Sequence, residues 1–379
     1  MSTLLASSDQ LVATGRAAPA WRPTAGEPVA VYGAGNFARA ASDAIRRAGG
    51  AVKYALDRRG GAAVGLPGVD VYVPGAEPTR RNDREAMTAV VGVFNRDADP
   101  DEIERQLRSL GYGRVVGVPE LYESFADELG PRFWLGRRAV YASERSRIEA
   151  AAKLWVDEPS RALYADLLRY RTTWHSDAAP LPASGVQYFP DDVPRTSGPL
   201  RFIDCGAFTG DTLVSIASAG MRVERVFAFE PDLTNFAELA RYSSEFACDT
   251  GAEVSLWPCA VGERAASLRF RADAGEASHL SADGDRAVSV VAIDEVLPSA
   301  RVTDLKMDIE GAEPEALRGA ERLIRRSRPR LAICVYHRAE HLWEIPLFVR
   351  ELGIPYDYYL RSHGHFGFDV VMYAVPRTD

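Results

Sequence analysis

The sequence predicts an α/β protein of two domains, an N-terminal Rossmann-like domain and a C-terminal doubly wound sheet, joined by a helical linker. Short apolar runs alternate with segments of helical period in both halves of the chain, as in parallel sheets covered by helices. A Pro-rich stretch separates the two halves. The 379 residues also exceed the roughly 150 residues of one typical domain.

Composition excludes several classes of protein. Hydrophobic residues make up 46% and charged residues 26%, as in a globular protein rather than a disordered or fibrous one. Lys and Arg total 45 against 53 Asp and Glu, and the net charge of −8 argues against nucleic acid or an anionic membrane as the main partner. A small-molecule acceptor fits this balance better.

The cysteines and the N-terminus predict the compartment. The four cysteines show no CxxC spacing and do not suggest a disulfide framework. The first residues lack the basic start and apolar core of a secretory signal, and no run approaches the roughly 18 apolar residues of a membrane span. We expect a cytoplasmic protein, and the sequence leaves a homo-oligomer open.

The N-terminal elements follow from local patterns. Residues 1–26 carry no sustained periodicity and predict a flexible leader, and residues 27–130 predict a nucleotide-binding-type domain. A buried strand is followed by a glycine turn and by a helix from Ala40 to Ala48, which Gly49 and Gly50 close. The predicted strands are 29–32, 52–56, 89–94 and 115–118, with a second helix at 101–110.

Residues 131–198 predict a helical and Pro-rich linker, and residues 199–379 the second domain. The linker has helical spacing over 143–174 with a break at 157–160. The second domain alternates strand and helix again. Its predicted strands are 201–204, 225–229, 254–257, 268–271, 288–293, 304–308, 331–336, 356–360 and 370–375, with helices at 212–219, 233–246 and 314–326.

The first glycine turn has the GxGxxA spacing of a dinucleotide fingerprint between a strand and a helix. Asp57 ends the next strand, where a carboxylate can accept hydrogen bonds from a ribose, while the N–H groups of the helix N-terminus can hold a phosphate. The residues of this second nucleotide site would be Gly33, Gly35, Asn36 and Asp57. The alternative is a purely structural glycine turn.

The same segment resembles the N-terminal domain of sugar O-acyltransferases of bacterial polysaccharide assembly. The resemblance rests on the GAGN turn at 33–36, on Asp57 and on the stretch GLPGV at 65–69. It implies a sugar-nucleotide or architectural role rather than hydride transfer.

The second turn, after the strand ending at Asp204, spaces its glycines as GxxxG, unlike the turns that bind pyrophosphate. A cofactor without phosphates needs close backbone approach at Gly206 and Gly210, and Asp204 or Asp211 can pair with an amino group. Glu230 ends the next strand, where it can hold both ribose hydroxyls. This combination predicts S-adenosyl-L-methionine, and the competing interpretation is a structural turn.

The segment 304–310 reads Asp-Leu-Lys-Met-Asp-Ile-Glu, whereas a central parallel strand normally reads as an apolar run. Burying Lys306, Asp308 and Glu310 without partners would cost several kcal/mol. The apolar helix pattern that follows indicates a covered strand, so these side chains are predicted to line a site at its carboxyl end. The alternative is a solvated edge strand.

His337 follows the apolar run 331–336, so it is expected at the same edge of the sheet, where a neutral imidazole could accept the proton of an alcohol. His341 follows at i+4. With Asp308, Glu310 and Glu313, the two histidines could bind a divalent metal. The preferred interpretation is one site histidine and one surface histidine, and the metal requirement stays open.

Two further segments carry candidate site residues. His363 and His365 lie in an expected hairpin that either closes over substrate or forms a polar turn. The segment 187–189, Gln-Tyr-Phe, either lines the acceptor pocket or packs the linker. The sequence does not decide between these interpretations.

Five motifs from about residue 185 onward resemble FkbM-family methyltransferases. They are FIDCGAFTGDT (202–212), FEPD (229–232), CAVGE (259–263), LKMDIEGAE (305–313) and VYHRAEHLWEIP (335–346). The resemblance implies a class I, S-adenosylmethionine-dependent enzyme that O-methylates a sugar or secondary metabolite, in natural-product or polysaccharide biosynthesis. By position it implies that the cofactor contacts Asp204, Gly206, Phe208, Gly210, Asp211, Glu230, Ala260 and Val261.

The sequence thus predicts an S-adenosylmethionine-dependent O-methyltransferase acting on a hydroxyl of a sugar, sugar nucleotide or secondary metabolite. The predicted catalytic residues are Asp308, His337, Lys306 and Glu310. One alternative is a nicotinamide-dependent oxidoreductase using the N-terminal turn, although that domain offers no convincing acid/base pair and no cysteine. The other is a non-catalytic cofactor-binding scaffold.

Overall fold

The structure is a computed structural model and describes residues 19–62, 65–271, 279–280 and 286–377. The chain forms two units, each made of separate stretches of sequence. The first contains Met1–Glu149, Arg161–Ala183 and Ser362–Phe368, and the second contains Ala150–Ser160, Ser184–Arg361 and Asp369–Asp379. Both units are α/β, as predicted. The stretch predicted as a linker, 131–198, is divided between the two units.

The first unit contains a parallel sheet. Its strand order, β3-β2-β1-β4-β5, matches the first five strands of the Rossmann order, so the predicted fold class is confirmed. The central strand is buried because both of its faces carry small or branched apolar side chains. The strands are β1 (Pro28–Tyr32), β2 (Ala51–Leu56), β3 (Val71–Tyr72), β4 (Thr88–Val91) and β5 (Arg114–Val116).

The first helix begins earlier than predicted. It starts at Asn36 rather than at Ala40, because the extended backbone of Gly35 already forms its N-cap. Gly33 has a φ of +114°, and a Cβ there would lie 2.8 Å from Val93, so the turn requires glycine. The helices up to residue 173 are α1 (Asn36–Arg47), α2 (Arg81–Arg84), α3 (Pro100–Ser109), α4 (Val118–Leu129), α5 (Arg138–Ser143), α6 (Arg145–Ala152) and α7 (Glu158–Thr173).

The described end of the predicted leader is packed against the first unit. Trp21 is buried, its ring contacts Phe125, and its backbone N–H donates to Glu120 at 3.0 Å. Burial of a large aromatic side chain explains why residues 19–26 differ from the predicted flexible segment.

The second unit contains a seven-stranded sheet of order β15-β16-β14-β13-β6-β7-β8. Strands β14, β13, β6, β7 and β8 pair in parallel, and β16 runs antiparallel to β14. The chain leaves β6 toward β7 on one side and returns at β13 on the other, so the carboxyl ends of β6 and β13 form a switch point where ligands bind in such sheets. The strands are β6 (Leu200–Cys205), β7 (Val223–Phe229), β8 (Glu253–Trp257), β13 (Asp304–Met307), β14 (Arg330–Cys334), β15 (Tyr356–Ser362) and β16 (Val370–Pro376).

A smaller sheet of order β11-β10-β12-β9 belongs to the same unit. Its strands are β9 (Ala260–Val261), β10 (Ala266–Arg271), β11 (His279–Leu280) and β12 (Arg286–Val291). The prediction of a strand at 288–293 ends too late, since Ile293 begins a helix.

The helix predicted over 314–326 is two helices. Gly319 lies so close to the backbone of Gly262 that a Cβ would stand 2.0 Å from its carbonyl oxygen, and Asp294 caps the second helix by accepting from the N–H groups of Arg322 and Leu323. The helices of this unit are α8 (Asp211–Ser218), α9 (Leu233–Thr250), α10 (Ile293–Val296), α11 (Glu313–Arg318), α12 (Glu321–Ser327) and α13 (His341–Glu351). Among the described residues, no helix is long and apolar enough to cross a membrane.

Candidate active site at the carboxyl edge of the second sheet

The turn after β6 is a glycine turn in which the backbone itself comes close to the next strand. Gly206 has a φ of +80°, and a Cβ there would lie 1.9 Å from the carbonyl oxygen of Asp308, just after β13. Gly210 has a φ of +98° and forms the N-cap of α8. Phe208 between them also has a positive φ and is exposed. The predicted cofactor turn therefore contacts the predicted catalytic segment.

Glu230 directly follows β7, and its carboxyl group forms hydrogen bonds with two loops. Its Oε2 accepts from the N–H of Phe208 at 2.9 Å, and its Oε1 accepts from the N–H of Asp232 at 2.8 Å. Burial raises the pKa of Glu230 to about 7, although these two hydrogen bonds oppose the shift. The carboxyl group thus lies beside the glycine turn, where the sequence predicts a ribose-binding group.

Lys306 points across the sheet from β13 to β6. Its Nζ lies 2.9 Å from Asp204 Oδ1 and donates to the carbonyl oxygen of Gly206 at 2.5 Å. Both side chains are fully buried, and burial raises the pKa of Asp204 to about 6 although the ammonium opposes it. Burial alone would lower the pKa of Lys306, but Asp204 and Asp308 raise it. This geometry favours a positioning role for Lys306 over the predicted catalytic one.

Strand β13 lies between β6 and β14, so the alternative of a solvated edge strand is wrong. Asp308 is the first residue after β13, and His337 follows β14. Asp308 Oδ1 lies 3.3 Å from His337 Nε2. The other oxygen of Asp308, Oδ2, accepts a hydrogen bond of 2.7 Å from the hydroxyl of Tyr188. Glu310 Oε2 lies 3.9 Å from the same Nε2. Three predicted residues from two strand ends therefore come together.

The neighbouring carboxylates determine the protonation state of His337. Burial lowers its pKa, but the carboxylates of Glu313, Asp308 and Glu310 outweigh burial and hold the pKa well above the usual value. For Asp308, burial raises the pKa, but His337, Lys306 and Tyr188 hold it well below the usual range. A proton on Nε2 prevents His337 from accepting another, so a role as base requires the neutral imidazole.

The interpretation of His341 as a surface residue is wrong. His341 is buried in the first turn of α13, and its Nδ1 lies 3.4 Å from Glu313 Oε2. The other oxygen of Glu313, Oε1, lies 2.8 Å from His337 Nδ1. Burial lowers the pKa of His341 to about 4 and keeps it neutral. A single buried carboxylate thus contacts both histidines.

Tyr188 belongs to the site, which the sequence left undecided. It is buried, and Arg330 fixes it by donating from a terminal guanidinium nitrogen to its carbonyl oxygen at 3.0 Å. Lys306 Nζ lies 5.0 Å from the centre of its ring. Burial raises the pKa of Tyr188 well above the usual value, so it remains a neutral donor to Asp308.

The other predicted site residues have simpler surroundings. Ala260 and Val261 are buried in β9, and Asp211 is exposed in the first turn of α8. Nothing in these positions tests their predicted cofactor contacts. His363 and His365 belong to the first unit, in which the backbone N–H of His365 donates to the carbonyl oxygen of Arg96.

In the first unit, the carboxylate of Asp57 faces Arg59. Nε of Arg59 lies 3.0 Å from Oδ1, and a terminal guanidinium nitrogen lies 3.2 Å from Oδ2. Burial raises the pKa of Asp57, but Arg59 and backbone N–H groups outweigh it and lower the pKa. A ribose contact would compete with this ion pair, so the second nucleotide site stays a prediction.

The strand order and the site at its switch point define a Rossmann-like fold of the class I methyltransferase type. Residues 204–364 match the model of the methyltransferase FkbM domain. This C-terminal part of the chain is therefore similar to the FkbM domain of methyltransferases.

One solved structure supports the fold, and two others show weaker similarity. The methyltransferase FkbM from Methylobacillus flagellatus KT is similar at 21% identity over 92% of this chain and 90% of that chain, with a TM-score of 0.72. A putative O-methyltransferase from Klebsiella pneumoniae matches at 16% identity over 62% of this chain and 97% of its own, with a TM-score of 0.31. Fibrillarin from Aeropyrum pernix, solved with natively bound S-adenosyl-L-methionine, matches at 12% identity over 46% of this chain and 66% of its own, with a TM-score of 0.29. No curated protein shows significant sequence similarity to this chain.

Proposed function

We propose that this chain is an S-adenosylmethionine-dependent methyltransferase that methylates a hydroxyl group of a small acceptor, a sugar, sugar nucleotide or secondary metabolite. The contact between the Gly206 turn and Asp308 carries this proposal. A Cβ at Gly206 would stand 1.9 Å from the Asp308 carbonyl oxygen. The cofactor turn is therefore adjacent to the polar rim, the edge of the sheet formed by Asp308 and His337. Such proximity is what a direct transfer between two bound molecules requires.

The residues around the turn fit a nucleoside cofactor without phosphates. The absence of a Cβ lets Gly206 lie against Asp308 and lets Gly210 lie against Tyr242, which fixes the path of the turn. Each oxygen of Glu230 accepts one backbone hydrogen bond and retains a second lone pair for a ribose hydroxyl. Asp211 is exposed at the start of α8, where it can pair with an amino group. When bound, S-adenosylmethionine supplies an electrophilic methyl group on a sulfonium.

The rim of Asp308 and His337 would hold the acceptor hydroxyl. Tyr188 occupies Oδ2 of Asp308, so Oδ1, which faces Nε2 of His337 at 3.3 Å, is the carboxylate oxygen that would orient the hydroxyl together with that imidazole. The oxygen–carbon bond forms as the sulfur–carbon bond breaks, and the hydroxyl proton leaves through this pair. Positioning and proton removal are the contributions expected of these side chains.

Calorimetry with S-adenosylmethionine and its demethylated product tests the cofactor assignment. We expect wild type to bind and to unfold at a higher temperature, because a ligand of the native state stabilises it. Glu230→Gln should bind more weakly, while Glu238→Gln, an exposed site on α9, should bind as wild type does. Absence of binding to wild type at millimolar cofactor would refute the proposal. A screen of hydroxylated acceptors for methyl transfer then identifies the substrate.

A further inference from the structure

Nε2 of His337 faces two carboxylates. Asp308 Oδ1 lies 3.3 Å from it and Glu310 Oε2 lies 3.9 Å from it. Neighbouring ligand atoms of an octahedral cation with bonds of about 2.1 Å are about 3.0 Å apart. Asp308 Oδ1 and His337 Nε2 are close to that spacing, whereas the partly exposed side chain of Glu310 would have to turn further toward the ion. Asp308, Glu313 and His337 each offer a ligand atom within 4.8 Å of the others.

The imidazole ring has the support typical of a metal ligand. His337 Nδ1 lies 2.8 Å from Glu313 Oε1, and that oxygen also accepts from the N–H of Ile309 at 2.9 Å. Metal-binding histidines usually donate their second nitrogen to such a carboxylate, which fixes the tautomer and directs the other nitrogen at the metal. Glu313 is therefore a supporting residue rather than a ligand, because the two ring nitrogens point in opposite directions.

The carboxylate of Asp308 is also oriented by a neighbouring side chain. Tyr188 donates to its Oδ2 at 2.7 Å. Its Oδ1 is buried and receives no hydrogen bond of good geometry within the described residues, although Nε2 is 3.3 Å away. A bound cation would replace the proton on His337 Nε2 as the positive charge beside this buried oxygen.

One side of the cluster is open to water. The side chains of Asp308 and Glu310 are 22% and 25% exposed, whereas those of His337 and Glu313 are 2% and 0% exposed. An ion could enter from the open side and complete its coordination with water or with an acceptor hydroxyl. His341 faces the buried side of Glu313 and is no ligand in this arrangement.

We propose that Asp308 Oδ1, Glu310 Oε2 and His337 Nε2 bind one divalent cation of the Mn²⁺ type. Two carboxylates with one imidazole suit such an ion, which accepts both oxygen and nitrogen ligands. The role of the ion rests on the proposed function, whereas its binding does not. With the ion bound, Oδ1 and Nε2 would hold the acceptor hydroxyl through the ion instead of directly. The coordinated hydroxyl then loses its proton to water rather than to this pair, and the oxygen takes the methyl group as the sulfur–carbon bond breaks.

The test is a titration of the full chain, freed of metal by chelation, with Mn²⁺ alone, followed by electron paramagnetic resonance of the unbound ion. We expect one ion per chain. Glu310→Gln and His337→Gln should each weaken binding tenfold or more, while Glu315→Gln, an exposed position on α11, should bind as wild type does. Glu310 is partly exposed, so its variant is expected to fold, and circular dichroism checks this.

Two results would overturn the cation site: no Mn²⁺ binding to wild type at millimolar concentration, or binding that Glu310→Gln and His337→Gln leave unchanged. Absence of Mn²⁺ binding would mean that His337 Nε2 carries a proton at the position assigned to the ion. Methyl transfer at full rate in excess chelator would remove the ion's catalytic role and leave the proposed function intact. Mn²⁺ binding without any binding of S-adenosylmethionine would refute the proposed function and leave the cation site intact.

Discussion

The carbonyl oxygen of Asp308 occupies the place where a side chain on Gly206 would begin. The hypothetical Cβ of Gly206 would stand 1.9 Å from that oxygen, whereas a Cβ at Gly220 would meet no atom within 4 Å. Both glycines have a positive φ, of +80° and +61°. The two positions therefore separate the effect of the close contact from the effect of the backbone conformation.

Gly206→Ala is expected to abolish cofactor binding and to destabilise the protein by several kcal/mol more than Gly220→Ala. The left-handed backbone should cost each variant roughly 1–2 kcal/mol, and only Gly206→Ala must also displace the segment at Asp308. Urea unfolding and calorimetry measure the two effects. Equal stability of the two variants would contradict the contact on which the proposed function depends.

Lys306→Met should destabilise the protein by roughly 3–5 kcal/mol, because it leaves the carboxylate of Asp204 buried without its partner. Lys53→Met, at an exposed position in β2, should change stability by no more than about 0.5 kcal/mol. Adding Asp204→Asn to Lys306→Met should recover part of the loss. Denaturant unfolding checks the series, and a loss confined to methyl transfer would instead support the catalytic role predicted from the sequence.

Tyr188→Phe is expected to retain cofactor affinity and to lower kcat for methyl transfer. The variant removes the hydrogen bond that holds Oδ2 of Asp308, and a bond to a charged group corresponds to roughly a tenfold to hundredfold change. Tyr359→Phe, elsewhere in the second unit, serves as the control. Unchanged kcat in Tyr188→Phe would show that Tyr188 only packs the segment around it.

The pKa of about 7 for Glu230 predicts a pH dependence of stability. The usual value is 4.5, so folding favours the protonated carboxyl group. The stabilisation is complete below about pH 4.5 and is lost as the pH rises through about 7. Lys306 and Asp232 are the charged neighbours of Glu230. Burial also raises the pKa of Asp204, so Asp204 changes stability with pH in the same direction as Glu230.

Glu230→Gln cannot ionise, so its stability relative to wild type should increase from pH 5 to pH 8. Thermal unfolding of both proteins without cofactor, in one buffer series, measures this difference. A constant difference across the series would mean that Glu230 is ionised throughout and that burial does not govern it.

The N-terminal unit is expected to catalyse no redox step. Asp57 is paired with Arg59, and the sequence offers no convincing acid/base pair beside the glycine turn. Oxidation of reduced nicotinamide by any carbonyl substrate, abolished by Gly35→Val, would contradict this and revive the oxidoreductase alternative. A Cβ at Gly35 meets no atom within 4 Å, so the variant is expected to fold.

The sequence alone determined the order of strands and helices in both sheets to a large extent, and it identified the polar residues at the carboxyl ends of the central strands. Apolar runs located the strands. Because the carboxyl ends of parallel strands share one edge, the sequence alone predicts that Asp204, Glu230, Asp308 and His337 lie at the same edge. These predictions depend on neighbours within a few residues, for which periodicity is informative.

Only the tertiary structure decided which side chains contact each other across that edge. Tyr188 and Asp308 are 120 positions apart, and no local pattern pairs them. The burial of His341, the break at Gly319 and the pairing of Lys306 with Asp204 likewise depend on atoms from distant elements. Hydrogen bonds and ion pairs form between groups that folding brings together, so their partners follow from three-dimensional packing and not from spacing along the chain.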